Sequence, residues 1–193
     1  MRIFSSLYNR AMKWSRHPHA PRYLAGLSFA ESSFFPIPPD VMLAPMSLAS
    51  PNRAWYFAAL TTLASVVGGL LGYAIGLFAF DLIEPYLHDL GYWQGYLTAQ
   101  RWFDEWGFWA IFIAGFSPIP YKVFTITAGV ISMTLLPFVL ASTIGRGARF
   151  FMVAGLMAWG GERMEQALHR YVDILGWVVV VVFVLVIFFL KMT

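Results

Sequence analysis

Five charged residues lie inside apolar stretches of the sequence, where a charge is costly and usually serves a function. The acids are Glu31 and Asp40, and the bases are Lys122, Arg146 and Arg149. A carboxylate in apolar surroundings favours its protonated form and can exchange a proton. Guanidinium groups can bind a phosphate through paired hydrogen bonds at any physiological pH. The acids therefore predict proton or ion coupling, and the bases predict binding of a phosphate-bearing lipid headgroup.

The same charges also have a structural interpretation. Arg146 and Arg149 are three residues apart in a predicted helix and so share one face. They could form ion pairs with Glu31 and Asp40 that only hold helices together. The two interpretations are compatible if a substrate displaces these pairs. Two glycines that clear space beside the arginines are Gly145 and Gly147.

Two nearly identical hexapeptides surround some of these charges. Pro36-Ile37-Pro38-Pro39-Asp40-Val41 and Pro118-Ile119-Pro120-Tyr121-Lys122-Val123 lie 82 positions apart. Proline removes a backbone donor and disfavours helix at the preceding residue, so each hexapeptide predicts a break between two half-helices. Asp40 and Lys122 hold equivalent places with opposite charge. The predicted tips of re-entrant hairpins are Pro36, Pro38, Pro39, Pro118 and Pro120.

The composition indicates an integral membrane protein. Of the 193 residues, 59% are hydrophobic and 12% are charged, against roughly 25% charged in soluble domains. Residues 54–80 form an uncharged run of 27, and about 20 apolar residues suffice to cross a bilayer. Further uncharged runs cover residues 123–145 and 174–190. The net charge of +3 is therefore a membrane signal and not a sign of nucleic-acid binding.

The order of segments predicts an all-α membrane protein built from two inverted repeats. Each repeat is a re-entrant helical hairpin followed by a transmembrane helix, at 23–52 and 54–80 and again at 106–133 and 135–161. Residues 81–105 form an interfacial loop or helix between the repeats, and 172–190 form an extra C-terminal transmembrane helix. Residues 23–193 are thus one membrane domain. An odd number of crossings in each copy gives the copies opposite orientations.

The first 22 residues form a basic N-terminal arm with five bases and no acid. Helical spacing of its apolar residues predicts an amphipathic helix on anionic headgroups, and the alternative is a basic flank of the following segment. Residues 81–105 carry five acids against one base. Basic segments stay preferentially in the cytoplasm, so the N-terminus is predicted to be cytoplasmic.

A glycine stripe lies within the first spanning segment, with Gly68, Gly72 and Gly76 at four-residue spacing. Small residues along one face let another helix backbone approach closely, so we interpret the stripe as a packing surface within the chain or in a homo-oligomer. Direct contact with substrate is the alternative.

The sequence lacks the residue patterns of several enzyme classes. There is no cysteine, no HExxH, no G-x-S-x-G and no P-loop motif. We therefore expect no enzyme activity, no cofactor and no metal site. The expected partners are membrane lipids and protons or another coupling ion.

The chain resembles the DedA superfamily of bacterial membrane proteins, also called the VTT or SNARE-associated domain family, and its short YqaA-like branch. The resemblance covers roughly residues 24–161. It rests on the segment from Glu31 through the Pro-Ile-Pro-Pro-Asp tip to Asp40, on the glycine pattern around Gly68, Gly72 and Tyr73, and on a second tip followed by Ala128-Gly129.

The resemblance implies two re-entrant hairpins that face each other and a role in moving lipids between leaflets of the bacterial inner membrane. Undecaprenyl phosphate and phospholipids are substrates associated with the superfamily, and proton coupling is proposed for some members. Glu31 and Asp40 match its important carboxylates. At the second tip the family usually carries two arginines, where this chain has Gly115 and Tyr121.

The sequence thus predicts a transporter or scramblase for a phosphate-bearing lipid, supporting envelope homeostasis. Two other functions stay open. One is a structural or assembly factor whose buried charges only hold the hairpins together, and the other is a channel or exporter for small ions.

Overall fold

The computed structural model describes residues 17–33, 35, 37–117 and 120–161. Every regular element in these ranges is helical, which confirms the all-α prediction for this part of the chain. Most of the predicted N-terminal arm, the tip residues Pro36 and Pro118 and the predicted helix 172–190 lie outside the described residues. The helices are α1 (Ala20–Ser33), α2 (Asp40–Ala49), α3 (Ala54–Asp89), α4 (Trp93–Phe116), α5 (Tyr121–Val130) and α6 (Leu135–Gly161), with a short 3₁₀ turn at Pro51–Arg53.

Two helices in the described part are long and apolar enough to cross a membrane, within Pro51–Leu82 and Leu135–Gly161. The packing is also that of a membrane protein, because large apolar side chains face outward while hydroxyl groups are buried. Exposed apolar residues follow one face of α3 at Leu63, Val67 and Leu71. The buried polar residues include Ser28, Ser32, Ser33, Thr61, Ser65, Thr125 and Ser142.

Both helix breaks occur at the prolines that predict them. α1 ends at Ser33 and α2 begins at Asp40, directly after Pro39. α4 ends at Phe116 and α5 begins at Tyr121, directly after Pro120. The fixed φ of proline suits the start of a helix, and its missing N–H removes no helical hydrogen bond there. Each pair of half-helices is therefore divided by the same local chemistry.

The spanning helices α3 and α6 run antiparallel. Near the start of α3, the Trp55 ring stacks on Phe151 late in α6, with ring centroids 5.8 Å apart. Further along α3, the Tyr73 ring lies 5.2 Å from the Phe138 ring near the start of α6. The two predicted repeats thus place their spanning helices in opposite directions.

The first half-helix of each pair runs parallel to a spanning helix. Ser28 Oγ donates to the Thr61 carbonyl and Ser33 Oγ to the Gly68 carbonyl, at 2.8 and 2.9 Å, so α1 follows the direction of α3. α1 therefore ends beside Gly68, near the middle of the α3 span. Because α2 then leads back to the start of α3, the chain reverses direction at the first break.

The second break has the corresponding geometry. α4 runs parallel to α6. A Cβ at Gly145 would lie 2.6 Å from the Phe112 carbonyl oxygen, and Arg149, further along α6, bonds to Ser117 just after α4. The break thus lies near the middle of α6, and α5 leads back to the start of that helix. Both helix pairs thus reverse direction about halfway along a spanning helix. This geometry is compatible with re-entrant hairpins and inverted repeats, which stay predictions.

The glycine stripe of α3 packs within the molecule. A Cβ at Gly68 would lie 2.2 Å from the Phe29 carbonyl oxygen, and one at Gly76 would lie 2.0 Å from the Ile126 carbonyl oxygen. At Gly72 the nearest atom would be Thr125 Oγ1, at 2.4 Å. The stripe thus receives α1 at one end and α5 at the other, with backbone against backbone.

Adding a methyl group at this contact is expected to destabilise the protein. Gly76→Ala forces α3 and α5 apart, and overpacking of this kind costs about 1–3 kcal/mol. Gly26→Ala is the matched control, because no atom of the described residues lies within 4 Å of that Cβ, and alanine favours helix by up to about 1 kcal/mol. Thermal unfolding in detergent should show a lower Tm for Gly76→Ala only. Equal Tm values for both variants would contradict the close packing.

The segment between the predicted repeats, residues 81–105, is mostly helical. α3 continues beyond residue 80 to Asp89, and Gly91 with φ of +74° ends it. The Tyr92 N–H donates to the Leu87 carbonyl at 2.9 Å, which is the usual helix end with glycine in the left-handed conformation. α4 then runs without a break from Trp93 into the first half of the second hairpin, because no proline interrupts it.

Candidate functional site

The candidate site is built around two arginines of α6 that reach different helix breaks. Arg146 and Arg149 share one face, as their spacing predicts, and lie near the middle of the span. Gly145 brings the α6 backbone against α4, and a Cβ at Gly115 would lie 3.2 Å from the backbone nitrogen of Arg146. Because Gly115 and Gly145 have no side chains, the backbone of α6 lies close to α4. The arginine side chains extend from there toward the first helix break.

Arg146 is buried and has several partners. Its Nη2 donates to Glu31 Oε2 at the end of α1. Its Nε donates to Ser65 Oγ on α3 at 2.6 Å, and Nη2 is also 3.3 Å from Ser32 Oγ. The hydroxyls of Ser32 and Ser65 lie 2.7 Å apart. One guanidinium therefore joins α1, α3 and α6 in a polar network shielded from solvent.

Aromatic rings flank the same guanidinium. The Arg146 Cζ lies 4.9 Å from the Tyr121 ring centroid and 4.6 Å from that of Phe150. Tyr121 is fully buried, and its hydroxyl donates to Ser142 Oγ at 2.5 Å. Cation–π contacts in desolvated places contribute about 2 kcal/mol each. Tyr121, the first residue of α5, thus connects the second hairpin to this network.

Arg149 lies in a more open place and contacts both breaks. Its Nη2 donates to Asp40 Oδ2 at 2.5 Å, and its Nη1 donates to the Ser117 carbonyl at 2.8 Å. The side chains of Arg149 and Asp40 are 18% and 23% exposed, against 2% and 15% for Arg146 and Glu31. The other oxygen of Asp40, Oδ1, is buried and accepts no hydrogen bond from the described residues.

The structure brings four of the five predicted charged residues into two ion pairs, Arg146 with Glu31 and Arg149 with Asp40. Lys122 lies half-buried in the first turn of α5, next to Tyr121. Pro38, Pro39 and Pro120 lie at the breaks. Within the described ranges, no group of three acidic, histidine or cysteine residues could hold a metal ion.

The hydroxyl partners of Arg146 are the part of the site that the sequence reasoning missed. Ser32 directly follows Glu31, and Ser65 lies three residues before the glycine stripe on the same face of α3. A face that continues from small hydroxyl residues into glycines is a signal for close packing with polar contacts. That signal could have placed Ser65 near the charges.

Chemically, the two pairs differ in what they can exchange. The Arg146 guanidinium donates hydrogen bonds through Nε and Nη2 and is closed to solvent. Arg149 is partly exposed, and Asp40 Oδ1 is buried and accepts no hydrogen bond from the described part of the chain. An anion that approaches from the solvent would therefore meet Arg149 before Arg146.

Comparison with known proteins agrees with this architecture. The model of the VTT domain matches residues 37–159. An uncharacterized protein of Haemophilus influenzae is 49% identical over 191 residues, covering 99% of this chain and all of the relative. An uncharacterized protein of Histophilus somni is 48% identical over the same length.

A relative with a named activity matches a shorter part. Undecaprenyl phosphate transporter A of Staphylococcus aureus is 33% identical over 92 residues, which is 45% of each chain. No solved structure matches the chain. The match to the VTT domain extends over more than half of the chain and includes the end of the first helix break, the whole second break and both arginines of α6. The chain therefore belongs to the VTT-domain family, within the DedA superfamily of membrane transport proteins.

Proposed function

We propose that the protein moves a phosphate-bearing lipid, undecaprenyl phosphate or a phospholipid, between the leaflets of a bacterial inner membrane. One observation carries this proposal. A partly exposed guanidinium, Arg149, lies midway along two apolar spans and at the meeting point of two helix breaks. Similarity to a named undecaprenyl phosphate transporter supports the substrate class.

The lengths of the half-helices support a thinned barrier. α2 and α5 have 10 residues each, which at 1.5 Å per residue is about 15 Å, or half of a hydrocarbon core of about 30 Å. Backbone that is not helical is tolerated at such depth only beside protein or water. A polar headgroup entering from either side therefore has only half of the core to cross before it meets Arg149.

The ion pair supplies a way to bind and release the headgroup. Phosphate and the Asp40 carboxylate compete for the same guanidinium, since both form charge-assisted hydrogen bonds with it. Protonation of Asp40 removes this competitor and favours phosphate at Arg149. Proton movement through Asp40 would then be coupled to lipid movement. For the orientation of the protein in the membrane, we keep the cytoplasmic N-terminus that the basic arm predicts.

One observation supports the alternative of a structural or assembly role. Arg146 is buried and bonds to both α1 and α3, so its pair with Glu31 acts as an internal brace whatever the protein transports. We assign the brace to Arg146 and the exchange to Arg149.

Lipid movement in liposomes tests the proposed function. The purified protein is reconstituted with acyl-labelled phosphatidylglycerol or with labelled glucosylceramide, which has no phosphate, and the label in the outer leaflet is destroyed chemically. Phosphatidylglycerol should lose nearly all its label, and glucosylceramide only its outer-leaflet share. An imposed pH gradient should change the rate.

Other outcomes identify the alternatives. Equal movement of both lipids would mean an unselective disturbance of the bilayer and would overturn a phosphate site. Ion flux without lipid movement would favour the channel or exporter. Neither kind of movement, from a folded protein, would favour the assembly factor.

A further inference from the structure

We propose that Arg149 is a clasp that holds the two helix breaks together, and that the phosphate which takes its guanidinium opens the clasp. This inference rests on the proposed function and adds how the site responds to its substrate. Binding of the headgroup and separation of the breaks would be one event.

The contacts of Arg149 carry the first step. Asp40 is the first residue of α2, after the first break, and Ser117 directly follows α4, at the second break. Arg149 belongs to neither hairpin, and it donates one hydrogen bond to each. The two acceptors are a carboxylate and a carbonyl at the negative end of a helix. Two such acceptors do not attract each other, and the guanidinium between them bonds to both.

The shape of the guanidinium carries the second step. The bonds to Ser117 and Asp40 use Nη1 and Nη2, the two terminal nitrogens of one planar fork. A phosphate bound through both nitrogens is the favoured bidentate arrangement. Such a phosphate displaces both acceptors at once and so releases both hairpins.

The contrast with Arg146 explains why the rest of the molecule stays intact. Arg146 is held by Glu31 and Ser65 in a nearly closed network and stacks on two rings. It keeps α1, α3 and the start of α5 against α6 while the Arg149 contacts exchange. Opening is therefore confined to the breaks.

Distance measurements between the breaks test the clasp. The chain has no cysteine, so Ile37→Cys and Val123→Cys introduce a unique pair at two exposed positions, one beside each break. Both cysteines carry spin labels, and their separation is measured by electron paramagnetic resonance in phosphate-free detergent. Phosphatidylglycerol should lengthen the distance, whereas diacylglycerol, which has no phosphate, should leave it unchanged.

Variants of the clasp separate this inference from the proposed function. Arg149→Lys keeps the charge but lacks the fork, so the breaks should already be further apart without lipid. Asp40→Asn removes the charge from one acceptor and should broaden the distance distribution in the same direction. Arg101→Lys is the control, because Arg101 is exposed and bonds to Leu97 and Thr98 in its own helix.

The outcomes are distinct. A lipid-free Arg149→Lys protein with the wild-type distance would overturn the clasp, as would a wild-type protein that binds phosphatidylglycerol without lengthening. A longer distance in Arg149→Lys together with a wild-type protein that moves no lipid in liposomes would support the clasp and overturn the proposed function.

Discussion

Replacing Arg146 with methionine is expected to destabilise the protein by about 3–5 kcal/mol, because it leaves the Glu31 carboxylate at a largely buried position without its cation. The stacking on Tyr121 and Phe150 is lost at the same time. Thermal unfolding in detergent and the yield of folded protein measure the effect. Arg101→Met is the matched control, because Arg101 is exposed and its bonds to the described residues are within its own helix, so this variant should unfold near the wild-type temperature.

A double variant shows that the loss comes from the unpaired carboxylate. Replacing a whole buried ion pair by apolar residues of similar size is often neutral or stabilising. Glu31→Leu combined with Arg146→Met should therefore recover most of the lost stability, since Ser32 and Ser65 can still bond to each other. A double variant no more stable than Arg146→Met alone would contradict this account.

The double variant also decides the role of Glu31. If it folds and moves lipid with the wild-type response to a pH gradient, then Glu31 carries no proton in the transport cycle. The proton role would then fall to Asp40, whose Oδ1 has no donor among the described residues.

The helix breaks were accessible from the sequence because their cause is local. Proline fixes φ and removes a donor wherever it stands, so Pro38-Pro39 and Pro120 predict the starts of α2 and α5 without tertiary information. The shared face of the two arginines of α6 was equally accessible, since helical periodicity alone determines it.

The pairing of charges was not accessible in the same way. Two acids and two arginines allow two sets of ion pairs. Which set forms depends on the axial position of each helix relative to its neighbour. Close contacts such as Gly68 against Phe29 and Gly145 against Phe112 determine this axial position. Sequence periodicity indicates that these glycines pack, but it does not give their partners.

The end of α3 was also not predictable from the sequence, for a different reason. Pro85 lies inside this helix, although proline usually ends or bends one. The side chain is exposed, beyond the apolar span, where water can satisfy the carbonyl that loses its donor. The uncharged run gives the length of the membrane span, and it does not give the length of the helix.

Replacing Arg149 with alanine is expected to slow the movement of labelled phosphatidylglycerol about 30- to 1,000-fold, with little loss of stability. Losing one or two charge-assisted hydrogen bonds to a phosphate removes about 2–4 kcal/mol of binding in the transition state for crossing. The effect on folding is smaller than at Arg146, because the Arg149–Asp40 pair is partly exposed and water can replace its bonds.

The comparison of the two arginines decides between a transporter and a scaffold. Under the proposed function, Arg149→Ala loses transport and keeps its unfolding temperature, whereas Arg146→Met loses the fold. Arg101→Ala controls for removal of a positive charge from the surface and should transport like the wild type. Wild-type transport by folded Arg149→Ala would place the phosphate elsewhere. If Arg149→Ala instead unfolds as readily as Arg146→Met, both pairs are braces, and the buried charges serve the architecture alone.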